Sequence, residues 1–384
     1  MEPLALYIHW PFCAAKCPYC DFNSHVRARI DQDAFADALS RELAHEAVRA
    51  GRRPLASIFF GGGTPSLMAP ETAARLIAEA RAHFDAAPDI EITLEANPTS
   101  VEIGRLSAFR AAGVNRVSLG VQALEEKALA FLGRQHDAPQ AIRALEASRD
   151  IFPRVSFDLI YARPGQSESA WRGELRRALA LAADHLSLYQ LTIEPGTQFA
   201  TLFGRGAFTL PEGEEAADLY TATAEEAAAF GLLPYEISNY AKPGAESRHN
   251  LAYWRYGDYL GIGAGAHQRL SFADGTLRAA RRHRGPEEWL SRVQRDGHAI
   301  TEEEILTPRD RAREALLMGL RLTEGIDPAR IASRSTLPFD ACIDTKARDL
   351  LLSEGLLAWR ETGHLAATPD GLIRLDALLP VLLR

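Results

Sequence analysis

The sequence has no apolar run that approaches the length of a membrane span, which excludes a helical membrane protein of the usual kind. The N-terminal MEPLALYIHW lacks the basic start, long apolar core and small-residue cleavage site of an export signal, so the expected location is the cytoplasm. Basic charge is in deficit: 43 Lys and Arg face 51 Asp and Glu, a formal net charge of −8. General nucleic-acid binding needs a basic footprint, and no nucleic-acid partner is expected. Internal repeats and low-complexity tracts are absent. Cysteine is scarce too. There are 4 in 384 residues, and they do not suggest a framework of disulfide pairs.

The scarce cysteines are unevenly placed. Cys13, Cys17 and Cys20 form C-x3-C-x2-C, whereas Cys342 stands far away on a predicted C-terminal helix and reads as a buried small apolar residue. Three thiolates at this spacing suit an iron–sulfur cluster. Three ligands on a [4Fe–4S] cluster leave one iron open to the amino and carboxylate groups of S-adenosylmethionine (SAM), whose radical chemistry belongs to the cofactor. The alternative is a zinc site completed by His9 or His25. Structural zinc prefers paired C-x2-C spacing, which is not found here.

The first 210 residues alternate between two patterns. Strands are expected over Leu4–His9, Leu55–Phe60, Ile90–Glu95, Arg116–Val121, Val155–Ile160 and His185–Leu191. Helical spacing fills Asp33–Ala50, Pro70–Phe84, Val101–Ala112 and Glu168–Ala183. Strands separated by helices imply an α/β fold with a parallel sheet, open or curved into a partial barrel. Ligands then belong at the C-terminal strand ends. The candidate residues fall there: the cysteines after strand one, GGGTP after strand two, and Glu95, Gln122 and Asp158 at or near the ends of the next three.

Each of these residues is ambiguous alone. The glycines of FFGGGTPS allow close backbone approach, and the segment lacks the Lys-Ser/Thr of a phosphate loop. Glu95 could accept from both ribose hydroxyls. Gln122, Arg134 and Asp158 could be satisfied structural polar groups, but successive strand ends favour a shared pocket. Arg134 suits a carboxylate.

From about Pro211 the pattern changes, and three units are expected: 1–210, 211–300 and 301–384. A helix over Pro211–Phe230 leads into an aromatic, Gly-rich stretch containing RHNLAYW. There His249 and Tyr253 are four apart, one stripe of a helix. His249 could ligate heme iron with Tyr or Trp stacking on the macrocycle; a hydrogen-bonded His in an aromatic patch is the simpler reading of the segment by itself. Helices near Pro308–Leu322 and Asp340–Glu354 precede the hairpin-like LLAWRETGHLAAT and a final helix, a winged-helix-like order.

YIHWPFCAAKCPYC, GGGTP, LEANP, SLGVQ, GRQH, FDLIYARPGQ and EPGT occur in the order found in the radical SAM superfamily, and the chain closely resembles its oxygen-independent coproporphyrinogen III oxidase family. That resemblance implies a partial (β/α)6 barrel with an accessory segment and a C-terminal helical domain. It implies that Tyr7, Gly62 and Glu95 contact cluster-bound SAM. It also implies that Tyr19, Gly63, Thr64, Gln122, Arg134 and Asp158 line the cofactor and substrate space, where the oxidase holds a second SAM. Two departures stand out. The oxidase has C-x3-C-x2-C-x-C, and Phe22 occupies the last position here; its longer N-terminal extension is not matched, since Cys13 already begins the motif. With HNLAYW, these features resemble the HemW branch of heme chaperones. That branch implies heme bound with the help of His249, apo-hemoprotein acceptors, a possible homodimer and peripheral contact with membrane hemoproteins. The rival expectation is the oxidase reaction, radical decarboxylation of coproporphyrinogen III. Ala162–Arg163 replaces the Gly-Leu common before PGQ, and Arg163 could meet a propionate or solvent.

Overall fold

A computed structural model describes residues 2–383, with the side chains of 100 and 101 excepted. All six expected strands form: β1 (Leu4–Trp10), β2 (Pro54–Gly62), β3 (Asp85–Ala96), β4 (Arg116–Gln122), β5 (Arg154–Tyr161) and β6 (His185–Gln190). Each pairs in parallel with the next. Their burial is nearly continuous rather than alternating: β1 is buried at six of its seven positions, as a sheet covered on both faces requires.

The connecting helices are capped where the sequence offers a cap. Asp31 accepts from the Ala34 amide ahead of Gln32–Ala50, and Asp137 with Gln140 forms a capping box ahead of Ala138–Ile151. The helix expected over Val101–Ala112 is broken into Ser100–Ile103 and Leu106–Ala111. Arg105 at the break sends its guanidinium to the Ser66 and Met68 carbonyls.

The sheet continues beyond the six strands at both ends. Next to β1 lies a seventh parallel strand, β7 (Asp258–Ile262), followed outward by antiparallel β8 (His267–Ser271), β9 (Leu277–Arg282) and β10 (Ile300–Ile305). Beyond β6, the short strands Asn239–Ala241 and Leu233–Pro234 complete the other edge. The strand order does not close on itself among the described residues. Residues 233–305 thus build both flanks of the sheet that carries the first 210 residues, so the expected boundary at 300 falls at the start of an edge strand.

One apolar core underlies this sheet, and a second joins Tyr256, Leu277 and Ala279 to Leu306–Leu382. The second core holds the helices Pro308–Gly319, Pro328–Ser335 and Thr345–Ser353 and the hairpin Leu357–Trp359/Leu365–Ala367. Cys342 is buried there, its Sγ 3.3 Å from Ser335 Oγ. No helix among the described residues is long and apolar enough to cross a membrane.

Candidate functional site

The C-terminal ends of β1 to β5 open onto one cavity of about 140 Å³. Cys13, Cys17, Cys20 and Tyr19 line it from the loop after β1. Gly62, Gly63 and Thr64 line it from the end of β2, Glu95 from β3, Gln122 from β4, Asp158 from β5, and Arg134 from the loop before the 138–151 helix. Tyr7 and His249 are not in that wall.

The glycine loop is tied to the cysteine loop by backbone. Gly63 N–H donates to the Trp10 carbonyl at 2.8 Å, and Thr64 N–H to the Phe12 carbonyl at 2.8 Å. A Cβ on Gly63 would lie 2.6 Å from the Phe12 oxygen and 3.0 Å from Cys13 Sγ. Gly62 has φ +114, and a Cβ there would strike the His9 ring at 2.7 Å. Both positions therefore need glycine for packing as well as for backbone shape.

The three thiols are free, and two are bracketed by a chain of polar side chains. Thr64 Oγ1 donates to Cys13 Sγ at 3.4 Å and accepts from Asn97 Nδ2 at 3.1 Å. Asn97 Oδ1 accepts from Arg134 Nη2 at 2.5 Å, and Arg134 Nη1 lies 3.1 Å from Cys17 Sγ. Arg134 thus sits on a sulfur, not on a free carboxylate. Asn97 was not singled out from the sequence, although it is the fourth residue of LEANP. Its neighbour Glu102 holds this turn by accepting from the Asn97 amide at 2.7 Å and from the Ser66 hydroxyl.

No three His, Cys, Asp or Glu side chains among the described residues converge on a single ion-sized point. Cys13, Cys17 and Cys20 line one cavity wall, three thiols of the kind that ligate iron–sulfur clusters.

The acidic side of the cavity is strained. Burial, and then Asp158 nearby, push Glu95 up from 4.5 to about 8. Burial raises Asp158 from 3.8 to about 6 against the hydrogen bonds that stabilise its charge. Glu95 Oε2 accepts from Gly62 N–H at 3.3 Å. Gln122 holds φ +71, and its buried Oε1 has no hydrogen-bond partner among the described residues. Two carboxyls held above their ordinary range, and an unpartnered acceptor, suit a cationic ligand rich in hydrogen-bond donors.

A second cavity of about 900 Å³ adjoins the first, and Phe22, Gly62 and Glu95 line both. Tyr7 lines it with His9. His9 Nε2 is 2.9 Å from the Asn23 carbonyl, which can only accept, so Nδ1 accepts from the Tyr7 hydroxyl at 3.0 Å. Burial lowers His9 to about 4, so it is neutral at pH 7.

His249 lies beneath this site on the helix Arg248–Trp254, the expected stripe with Tyr253 intact at 5.6 Å between rings. It is buried, its ring stacks on Phe59 at 4.8 Å, and Nδ1 is 2.9 Å from Ser57 Oγ. Burial, then Arg116, lowers it to about 3. Its ring faces β2, not either cavity. Arg163 is also inward: it is buried and ion-paired with Glu174, so it meets neither solvent nor a ligand in these cavities.

Comparison with known proteins gives the following. Residues 7–178 match the radical SAM superfamily, and residues 306–373 match the HemN C-terminal domain. The heme chaperone HemW of Escherichia coli K12 is 37% identical over 100% of this chain and 99% of its own length. The mitochondrial radical S-adenosyl methionine domain-containing protein 1 of Bos taurus is 40% identical over 99% of this chain and 87% of its own. Among solved structures, the coproporphyrinogen III oxidase HemN of Escherichia coli, a radical SAM enzyme, superposes with a TM-score of 0.81. It is 26% identical, and the match covers 99% of this chain and 90% of that one.

Proposed function

The chain belongs to the radical SAM superfamily and to its HemW branch, and from that premise we propose that it binds heme and hands it to apo-hemoproteins. The observation that carries this reading is the end-to-end match, at 37% identity, to a heme chaperone of nearly the same length.

In this reading Cys13, Cys17 and Cys20 hold a [4Fe–4S] cluster, and Tyr7, Gly62 and Glu95 attend SAM on its open iron. When bound, the cluster supplies one-electron chemistry at the SAM sulfonium. The residues around it hold charge. Arg134 offsets the anionic sulfur of Cys17, and Thr64 donates to Cys13. Glu95 and Asp158 gain from a sulfonium and an ammonium nearby, because each is held above its ordinary range without a cation. Gln122 offers its unpartnered oxygen. Tyr19, Gly63 and Thr64 complete the wall. His249 serves heme binding from below, fixing Phe59 and the neighbouring Tyr7 and Tyr253 rings rather than reaching the macrocycle. The protein works in the cytoplasm, as a monomer or homodimer, touching membrane hemoproteins peripherally when they are the acceptors.

The test is anaerobic reconstitution followed by heme titration and transfer to an apo-hemoprotein. Stoichiometric heme uptake and transfer are expected; no uptake overturns the reading. The oxidase reaction is the second reading, favoured by the superposition on HemN. Incubation with reductant, SAM and coproporphyrinogen III decides: formation of protoporphyrinogen would establish it.

A further inference from the structure

The larger cavity is walled by the antiparallel end of the sheet, where the sequence LRAARRHR runs along β9 and past it. Four arginines within seven residues are unexpected on a chain of net charge −8. Three are ion-paired, Arg278 with Asp274 at 3.0 Å among them. Arg282 is buried against Glu42 and Glu46, and Arg281 pairs with Glu302 at an exposed rim. Arg284 is exposed and reaches only Asn23 Oδ1, at 3.5 Å, with no carboxylate partner among the described residues.

Three imidazoles line the cavity, and they differ. His9 spends both ring nitrogens on Tyr7 and Asn23. His283 uses Nδ1 to accept from Gly285 N–H at 3.1 Å. His267, the first residue of β8, is exposed to the cavity, and neither ring nitrogen has a hydrogen-bond partner among the described residues. It stands directly opposite Arg281 in the β8–β9 register. Burial, then the surrounding Arg269, Arg281, Arg282 and Arg284, lower its basicity, so it is neutral at pH 7 and offers a lone pair.

The third component is apolar surface. Phe22 is 60% exposed at the ridge between the two cavities and offers an aromatic face to both. Its sequence position is the one at which the oxidase pattern has a cysteine. Small residues, Gly265 and Ala266, keep the floor beside it low. An open imidazole, an unpaired guanidinium and a bare aromatic ring facing about 900 Å³ are complementary to one ligand chemistry: a flat metallomacrocycle bearing carboxylates.

We propose that this cavity is the heme site, with His267 as axial ligand to the iron, Arg284 on a propionate, and Phe22 against the macrocycle. The proposal rests on the heme-chaperone reading above, and it moves the axial ligand from His249 to His267.

The test uses the full-length, cluster-reconstituted protein titrated with hemin and with hemin dimethyl ester. Binding is followed by the Soret difference spectrum and magnetic circular dichroism. For His267→Ala, the loss of an axial bond should shift the Soret band and weaken hemin by about tenfold or more. His267→Met should give a different axial-ligand signature at an unchanged melting temperature. Arg284→Glu should weaken hemin by about tenfold, yet leave the dimethyl ester unaffected, since the ester has no charge to lose. A wild-type Soret band and affinity in both His267 variants would overturn the ligand assignment. Equal losses for hemin and its ester in Arg284→Glu would overturn the propionate assignment, even if the His267 variants failed to fold. Wild-type protein that takes up no hemin at all would instead overturn the chaperone reading itself.

Discussion

A single carboxyl shows how the cavity is tuned. Glu95 has its folded-state pKa raised to about 8, chiefly by burial and then by Asp158, from an ordinary 4.5. The folded apoprotein therefore keeps a proton that the unfolded chain releases between those values. Its contribution to stability is full below pH 4.5 and is lost as pH rises to about 8. Glu95→Gln cannot ionise. The apo variant should melt at wild-type temperature near pH 4 and above it near pH 9, as thermal unfolding at the two pH values would show. Gly62→Ala carries the opposite expectation. Its Cβ would drive into the His9 ring at 2.7 Å, displacing the Tyr7–His9 pair. Iron content after reconstitution should fall well below wild type, measured by iron and sulfide assay. At this scale the cysteines, Gly62 and Glu95 are legible because their chemical type is tied to a short motif. Asn97 and Ser57 are not: an amide and a hydroxyl are ordinary anywhere, and their partners Arg134 and His249 lie far along the chain. The ring stripe of His249 and Tyr253 is readable, but which wall it faces is set by β2, about 190 residues earlier.

The strands of the parallel sheet are the most readable elements, since their apolar runs are continuous and four of the six are followed by a stretch of helical spacing. Errors fall where polar contacts overrule periodicity. The break near Arg105 follows from its bonds to the carbonyls of Ser66 and Met68. The expected helix over Asp340–Glu354 divides at Ile343, which bridges to Leu383, and restarts at Asp344, whose carboxylate caps Lys346 and Ala347. After β5, Ala162 holds φ +56, a conformation that costs an L-residue with a Cβ. Ala162→Gly relieves that conformation but strips a methyl from the core, so urea unfolding should show a stability within about 1 kcal/mol of wild type at an unchanged m-value. The neighbouring Arg163 resisted interpretation from sequence because a lone arginine shows no partner. Its partner, Glu174 on the 168–181 helix, also accepts from the Leu124 amide through Oε1 at 2.7 Å.

Across the whole molecule, the flanking strands were the least legible part. Short, polar β8 to β10 carry no long apolar run, and their place in the sheet is decided by pairing with β7 and by buried charge. Asp258, at the start of β7, is buried between Arg53 at 2.7 Å and Arg334 at 2.8 Å, joining β2, β7 and the 328–335 helix. These guanidiniums and the Ser271 amide hold its pKa below the ordinary range despite burial. Removing the carboxylate would strand two arginines, so Asp258→Ala should cost about 3–5 kcal/mol, measurable as a lower urea midpoint. Strand β1 has one neighbour, β2, from its own end of the sequence and another, β7, more than 240 residues later. The loop bearing the cysteines is pinned likewise: Asn23 Nδ2 donates to the carbonyls of Ala264 and Arg284, each at 2.9 Å. During synthesis, then, the ribosome must have released residue 284 before the cysteine loop can take its final shape. The three thiols therefore reach their final arrangement only after about the first three quarters of the chain is translated, and they remain exposed to oxidation until then.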